Sequence, residues 1–509
     1  METKKYAFLA SLLGGYVVHL TAFANLIPNE DGLSRVYDTQ EMIVSGRWFL
    51  HYASMPHGFM QMPSFIGFLA LCFLGLSAVL IVDLLKINNK YVAGLMGMTL
   101  VSFPSLGFVF LYLFTASAYC LGILLAVFSL WCAKKGGKFW GLAVLSLALS
   151  MGIYQAFAPF AIGLAVILVI EELFDKDKNM LSVLQFGVKL LGCLAGGAIL
   201  YYVILHCGLW LTGQELLPYL GMENTGYPFS SLPRLILDCY LQVFRLFFHS
   251  GLNNGTNTVP LVLLNFICVG FGLFATFSWA KKQKESWRVV SLVALCGICP
   301  LAFGFVQIIS PWTSPTPLMQ YPYVLCYVLL LFFLEKSNLF SSQKFFHAVP
   351  VVFLGICLSG SWLCNLLYTA SAQSHRATES YVTRMMSRVE SSSGYRSDMP
   401  ILIIGTDGGL EESIEAFAFI DHYSIPTETL LSLNKHIYYY LNDWLNIPVP
   451  EPSEESFIAM AESEAFLSMP CYPDDGSVAI IDDQVVVKVG EGYLPKSDYE
   501  IAYENRGKS

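Results

Sequence analysis

Residues 91–133 read YVAGLMGMTLVSFPSLGFVFLYLFTASAYCLGILLAVFSLWCA, 43 positions without one charge. A helix needs about 20 apolar residues to cross a bilayer. The stretch therefore predicts two spans joined by a tight turn near residues 112–116. Similar runs precede it at 6–27 and 64–82 and follow it near 181–207, 259–280, 289–310, 319–334 and 346–368. Residues 139–170 are also uncharged, but these 32 positions are short for two full crossings at about 1.5 Å per residue. They predict two short helices meeting around 150–154, with the turn inside the bilayer or in a water-filled cavity. The total is about eleven spans.

Composition agrees. Of 509 residues, 55% are hydrophobic and 13% charged, with a mean hydropathy of +0.56. That charged share is about half the value usual for a soluble domain. A disordered chain, a fibrous repeat and an ordinary cytosolic enzyme are excluded, which leaves a polytopic membrane protein. The net charge of −9 is uneven: residues 1–368 carry +5 and residues 369–509 carry −14. Two domains follow, a mostly α-helical membrane domain over 1–369 and a small acidic α/β domain over 370–509. Nearly all of the 13 cysteines lie in apolar runs, where thiols behave as small hydrophobes. Cys296 and Cys299 form a C-x-x-C inside such a run, without a second pair or histidine to complete a metal site.

Lysine placement orients the chain. All fifteen lysines before residue 369 fall in one set of alternate loops or at the span ends beside them, from Lys4 and Lys5 through Lys86, Lys134 and Lys178 to Lys344. The opposite loops hold only Arg35, Arg47, Arg234 and Arg245. Cytoplasmic loops collect positive charge, so the N-terminus is cytoplasmic and, with an odd number of spans, the acidic domain is extracytoplasmic. Ala22-Phe23-Ala24 has the form of a signal-peptidase site, but the apolar run continues to Ile27 and is read as a retained span.

Two outer loops are long, 28–63 and 208–259. The second contains SLPRLILDCYLQVFRLFF at 231–248, in which Arg234, Asp238, Gln242 and Arg245 share one helical face. It is an amphipathic helix along the membrane surface, either packing at the interface or setting Arg234 or Arg245 against an anionic headgroup. The first loop, PNEDGLSRVYDTQEMIVSGRWFLHY from Pro28, places Glu30 and Asp31 close to Arg35 and, further on, to Arg47 in Gly46-Arg47-Trp48. A carboxylate can take the proton of an attacking hydroxyl, and an arginine pairs with phosphate through its fork of donors. Trp48, His51, Tyr52 and His57 would pack on a sugar or hold the loop at the interface. No Walker or Rossmann glycine pattern stands in a strand–helix context; Thr406-Asp407-Gly408-Gly409 lacks the required spacing and lysine. An outward carboxylate site without nucleotide suits a donor delivered through the membrane, such as a polyprenyl-phosphate sugar.

At these residues the chain resembles the GtrII-type bacterial glucosyltransferases, within the membrane-embedded GT-C class of glycosyltransferases. The resemblance rests on Pro28-Asn29-Glu30-Asp31-Gly32, Arg35 and Gly46-Arg47-Trp48, and on Ser150-Met151-Gly152-Ile153-Tyr154-Gln155-Ala156-Phe157, and it covers roughly residues 1–370. The family tends toward Asp-Asp where this chain has Glu30-Asp31, which leaves open which acid is the base. The resemblance implies transfer of a sugar, typically glucose, from undecaprenyl phosphate to a cell-surface glycan such as O-antigen, at a bacterial plasma membrane. It implies Asp31 or Glu30 as general base, and Arg35 and Arg47 as partners of the departing phosphate. Tyr154 and Gln155 would bind sugar or lipid phosphate, or pack a tight turn. No nucleotide cofactor and no obligatory metal are implied. The expected partners are the lipid-linked donor, the glycan acceptor, the bilayer, and a companion flippase and donor synthase; nucleic acid is not among them. A lipid-sugar exporter and a glycan polymerase or ligase are the other readings. The near absence of charge at span centres and of an inverted repeat weighs against the first. Arg234, Arg245, His206 and His249 keep the second open.

In the acidic domain, residues 400–405 predict a buried strand, 411–422 and 430–444 helices, and 478–489 a hairpin turning at Asp482-Asp483. Asp407, Asp421 and His422 have no metal-ligand spacing. The domain is expected to cap the outer cavity or to guide the acceptor.

Overall fold

The computed structural model describes residues 2–29, 31–33, 39–40, 42–216, 229–250, 257–309, 316–337, 343–405, 434–450 and 452–490. The chain divides into two compact units. The first comprises Met1–Asn25 and Thr39–Asn365, the second Leu26–Asp38 and Leu366–Ser509. The stretch 28–63, one outer loop by sequence, is thus shared between them.

The first unit is helical: α1 (Glu2–Ala24), α2 (Leu50–Ser54), α3 (Pro63–Leu84), α4 (Lys90–Ser102), α5 (Ser105–Leu111), α6 (Leu113–Lys135), α7 (Trp140–Ile153), α8 (Ala158–Leu173), α9 (Met180–Thr212), α10 (Leu232–Phe248), α11 (Val259–Ala280), α12 (Ser286–Phe303), α13 (Phe305–Ile309) and α14 (Leu325–Lys336). The long helix α15 (Gln343–Glu390) contributes residues to both units. Among the described residues nine helices are long and apolar enough to cross a membrane, or ten with the bent pair α4–α5; the helix ending at Ile153 is shorter. Their outward faces are aliphatic and aromatic, with Leu13, Val17 and Leu20 on α1 and Leu263, Phe266 and Leu273 on α11 all exposed. Apolar faces of this extent belong in lipid, and the chain is a membrane protein.

Local chemistry explains the breaks. Asn89 caps α4 by accepting hydrogen bonds from the backbone N–H of Tyr91 (2.9 Å) and Val92 (3.4 Å). The next interruption comes at Phe103-Pro104, earlier than the turn expected near 112–116. Proline drives its predecessor out of helical geometry: Phe103 has ψ 128°, and α4 and α5 meet at 51°. A second interruption, at Tyr112, precedes α6. The uncharged run 139–170 forms two helices, of which the first is short and the second, counted from the turn at Gln155 to Leu173, is long enough to cross. α7 and α8 have 14 and 16 residues, about 21 and 24 Å at 1.5 Å each. They are joined at Tyr154, which is extended (φ −159°, ψ 119°), and by one 3-10 turn, Gln155–Phe157.

The lysine-bearing loops converge at one end of this unit. Lys4 pairs with Asp83 at 2.6 Å, and Trp131 donates to the same carboxylate at 2.8 Å. The buried Glu171 receives Lys86 at 3.0 Å and Lys134 at 2.8 Å. Buried Glu172 lies 3.6 Å from Lys178. Arg288, also buried, donates to the carbonyls of Leu173 (2.7 Å), Asp175 (2.8 Å), Lys176 (3.3 Å) and Lys178. It thereby caps the end of α8 and the turn beyond it, where helix carbonyls lose their internal partners.

The second unit is built on a three-stranded sheet in the order β1-β3-β2, with β1 (Ile401–Ile404) parallel to β3 (Gln484–Lys488) and β2 (Val478–Ile481) antiparallel to it. The hairpin turns at Asp482 and Asp483, both at positive φ (50° and 62°), as a two-residue turn between twisted strands requires. Val382, Met385, Met386 and Val389 of α15, at helical spacing, pack on this sheet in one apolar core. The Tyr438 hydroxyl covers the open edge of β1, accepting from Ile403 N (3.0 Å) and donating to Ile401 O (3.1 Å). The predicted helix 411–422 and the Thr406–Gly409 stretch lie outside the described residues; of 430–444, Asn434–Tyr439 is α-helical and Tyr440–Trp444 continues as a π-turn.

Candidate functional site

The segment after Thr39 carries the first concentration of polar contacts away from the lysine end. Gln40 is fully buried; its amide donates to the Phe114 carbonyl and accepts from Ser54 Oγ at 2.6 Å. His51 Nδ1 meets the Thr39 carbonyl at 2.7 Å. Between these anchors the chain forms one 3-10 turn, Ile43–Ser45, closed by Gly46 at φ +79°. Arg47, Trp48 and α2 follow.

This segment packs where α7 stops. Leu147 and Ala148 reach α9 at Gly197 and Tyr201. Beyond that level Ile43 and Trp48 cover Tyr201, Leu205 and Leu209 of α9 instead. The two short motifs picked out by sequence therefore meet. Phe49 N donates to the Gly152 carbonyl at 2.8 Å. Gln155 Nε2 donates to Ser45 O and to the Tyr201 hydroxyl, both at 2.9 Å. That hydroxyl donates in turn to Gly46 O at 3.1 Å.

Both glycines are required by contact. A Cβ on Gly46 would run into the Gln155 amide and stand 2.6 Å from the Tyr201 hydroxyl; a Cβ on Gly152 would stand 2.7 Å from the Trp48 indole. The positive φ of Gly46 adds a second reason there.

Arg47 is half-buried, with its guanidinium carbon 5.1 Å from the centre of the Tyr154 ring. Tyr154 is stacked on Tyr119, centroids 4.8 Å apart and planes within 2°, and meets the edge of Phe157 at 5.5 Å. The cation thus lies beside a stacked and edge-packed aromatic cluster. Such a contact contributes about 0.5–2 kcal/mol. The fork of guanidinium donors is the geometry that matches an oxyanion with two oxygens to offer.

Of the residues singled out by sequence, Arg47, Tyr154 and Gln155 come together. Gln155 is engaged with backbone and Tyr201, which makes it the brace of the turn. Tyr201 and Tyr119 escape the sequence reading: each is one of several tyrosines in a long apolar run, without a local signal. Arg234 and Arg245 are exposed on α10, a separate helix packed against α11–α13. Cys239 contacts Gly304 O at 3.5 Å, and Asn265 holds the Phe247 carbonyl at 2.8 Å. Arg234 faces Asp238 at 4.0 Å. Leu237, Tyr240 and Phe244 form an exposed apolar stripe beside these charges, the form of an interfacial helix.

Asp31 belongs to the second unit. It is exposed on the turn 29–32, closed by Gly32 N donating to Asn29 O (3.1 Å) and Oδ1 (2.9 Å). Glu30 and Arg35 lie outside the described residues. Among the described residues no three His, Cys, Asp or Glu side chains gather to hold a metal ion.

The family described as Glucosyl transferase GtrII matches residues 20–334. The chain belongs to this family. No curated protein and no solved structure matches it. The GtrII match takes in the Asn29–Leu33 turn, Gly46-Arg47-Trp48 and the α7–α8 turn, so the interlocked motifs are a property of the GtrII portion. It ends before α15 and the sheet of the second unit.

Proposed function

We propose that this protein transfers glucose from a polyprenyl phosphate, undecaprenyl phosphate in bacteria, to a cell-surface glycan such as O-antigen, as a GT-C-type enzyme. The observation that carries the reading is the Arg47 guanidinium on the Tyr119–Tyr154 stack, where two GtrII-region motifs lock together away from the lysine network. In this reading all eleven apolar segments cross the plasma membrane. The lysine end is cytoplasmic and the second unit extracytoplasmic. A lipid-linked donor then needs no nucleotide at the site, and a flippase and a donor synthase supply it. Membership of a glucosyltransferase family favours transfer over export.

The acceptor hydroxyl oxygen bonds to the anomeric carbon as the bond from that carbon to the phosphate oxygen breaks. The hydroxyl proton passes to the carboxylate of Asp31, or of Glu30 beside it. Polyprenyl phosphate departs with both bonding electrons, its charge met by Arg47. Attack opposite the leaving group inverts the anomeric centre. Stabilising charge that develops in the transition state is commonly the largest catalytic contribution, about 10²–10³-fold for one donor.

The test is transfer from radiolabelled glucosyl polyprenyl phosphate in membranes carrying Arg47→Ala, Arg47→Lys, Asp31→Asn or Glu30→Gln. Arg47→Ala should lose roughly 10²–10³-fold in turnover. Arg47→Lys, which keeps charge but not the fork, should recover only part. Full turnover by Arg47→Ala, or by both carboxylate variants, would refute the assignment.

A further inference from the structure

The GtrII match ends at residue 334, so the work of residues 366–509 must be read from their own structure. A short piece from the other end of the chain, Leu26–Asp38, belongs to the same unit. Its attachment is specific. Leu33 has no solvent exposure and is part of the core formed by Met385 and Val389 of α15, Ile401 and Ile403 of β1, and Leu441. Trp444 Nε1 donates to the Leu33 carbonyl at 3.3 Å, across 411 positions of sequence. Trp444 is itself braced: its ring meets the edge of His375 at 5.6 Å, and His375 Nδ1 is hydrogen-bonded to the Tyr440 hydroxyl at 3.0 Å. Two positions before Leu33 stands Asp31, at the tip of a turn that Asn29 closes twice over.

A carboxylate that must take a proton in the transition state has to be held to within about half an ångström. A surface turn does not achieve this alone. Here the side chain following the turn is plugged into a folded core and its carbonyl is tied to a braced indole. We propose that the second unit is the mount of the catalytic carboxylate, with Leu33 and Trp444 as positioning residues that set where Asp31 stands. This rests on Asp31 being the base, and it gives the C-terminal unit a part in chemistry.

The experiment uses the full chain in membranes, with Leu33→Ala, Trp444→Phe and Asp31→Asn made singly and in pairs. Transfer is followed by accumulated radiolabel so that residual rates are measurable. Trp444→Phe keeps the ring and removes only the donor, and carries the test if Leu33→Ala fails to fold. Each positioning variant should lower turnover by roughly 10- to 100-fold, the scale of a 1 Å misplacement, with the donor KM within about twofold of the parent. In the Asp31→Asn background neither should lower it further, because the group they place is gone. If Asp31→Asn is inactive but both positioning variants turn over normally, the mount is refuted and the base stands. If their losses multiply with that of Asp31→Asn, they act on general integrity and the mount is again refuted. If Asp31→Asn is fully active, the base itself is wrong.

Discussion

Gly46→Ala isolates the interlock between the two motifs, because the fold contains its own control. Gly46 and Gly58 both sit at positive φ, +79° and +60°. A side chain at Gly58 meets nothing within 4 Å, whereas one at Gly46 collides with the Gln155 amide and the Tyr201 hydroxyl. The left-handed backbone costs an alanine about 1–2 kcal/mol, and both variants bear that. Forcing a methyl into a filled site adds about 1–3 kcal/mol. The Gly46 variant also displaces hydrogen bonds of about 0.5–1.5 kcal/mol each. Gly58→Ala is therefore expected to lose about 1–2 kcal/mol and keep its transfer rate. Gly46→Ala should lose roughly 3–5 kcal/mol, with transfer falling well beyond the loss of folded protein, since Arg47 is the next residue. Thermal unfolding in detergent and label transfer per folded molecule measure the two effects. Equal melting and equal specific activity for the two alanine variants would show that Gln155 and Tyr201 do not clamp this turn.

Arg288→Leu should cost about 3 kcal/mol or more, because four carbonyls lose one shared buried donor, and Arg288→Lys should restore little, a single ammonium being unable to serve them all; denaturation midpoints decide it. For His57, burial pushes the imidazole below its ordinary value, against the opposing pull of the Met60 carbonyl. Its contribution to stability is then full above about pH 6.5 and lost as pH falls through the lowered folded-state value. His57→Gln should flatten the melting temperature over that acid range, and an unchanged pH slope would count against it.

Much of the helical unit was legible because bilayer physics writes it in long apolar words. The break between α7 and α8 near Tyr154 followed from a run too brief for two full crossings, though the second helix runs on to Leu173 and reaches spanning length, and the convergence of Lys4, Lys86, Lys134 and Lys178 followed from their alternate loops. The Asp482-Asp483 hairpin was equally plain, since flanking β-branched arms leave it no other role. What escaped was non-local. Pro104 bends α4–α5 inside a run whose hydropathy never falters. Tyr201 is chemically indistinguishable, by sequence, from its exposed neighbour Tyr202. In α10 the period located the polar stripe, yet it could not tell Leu235 and Cys239, which face protein, from Leu237 and Phe244, which face outward. Leu33, alone among polar neighbours, reads as a loop residue until the core that receives it is assembled.

The shortness of α7 has a consequence for the space beyond its end. At about 21 Å it is shorter than a hydrocarbon layer about 30 Å deep, and the place of its missing turns is taken by Ile43 and Trp48 against Tyr201, Leu205 and Leu209 of α9. Gly152, near the end of α7, already lies against the Trp48 indole, so lengthening α7 by one turn would drive it into the Gly46-Arg47-Trp48 segment.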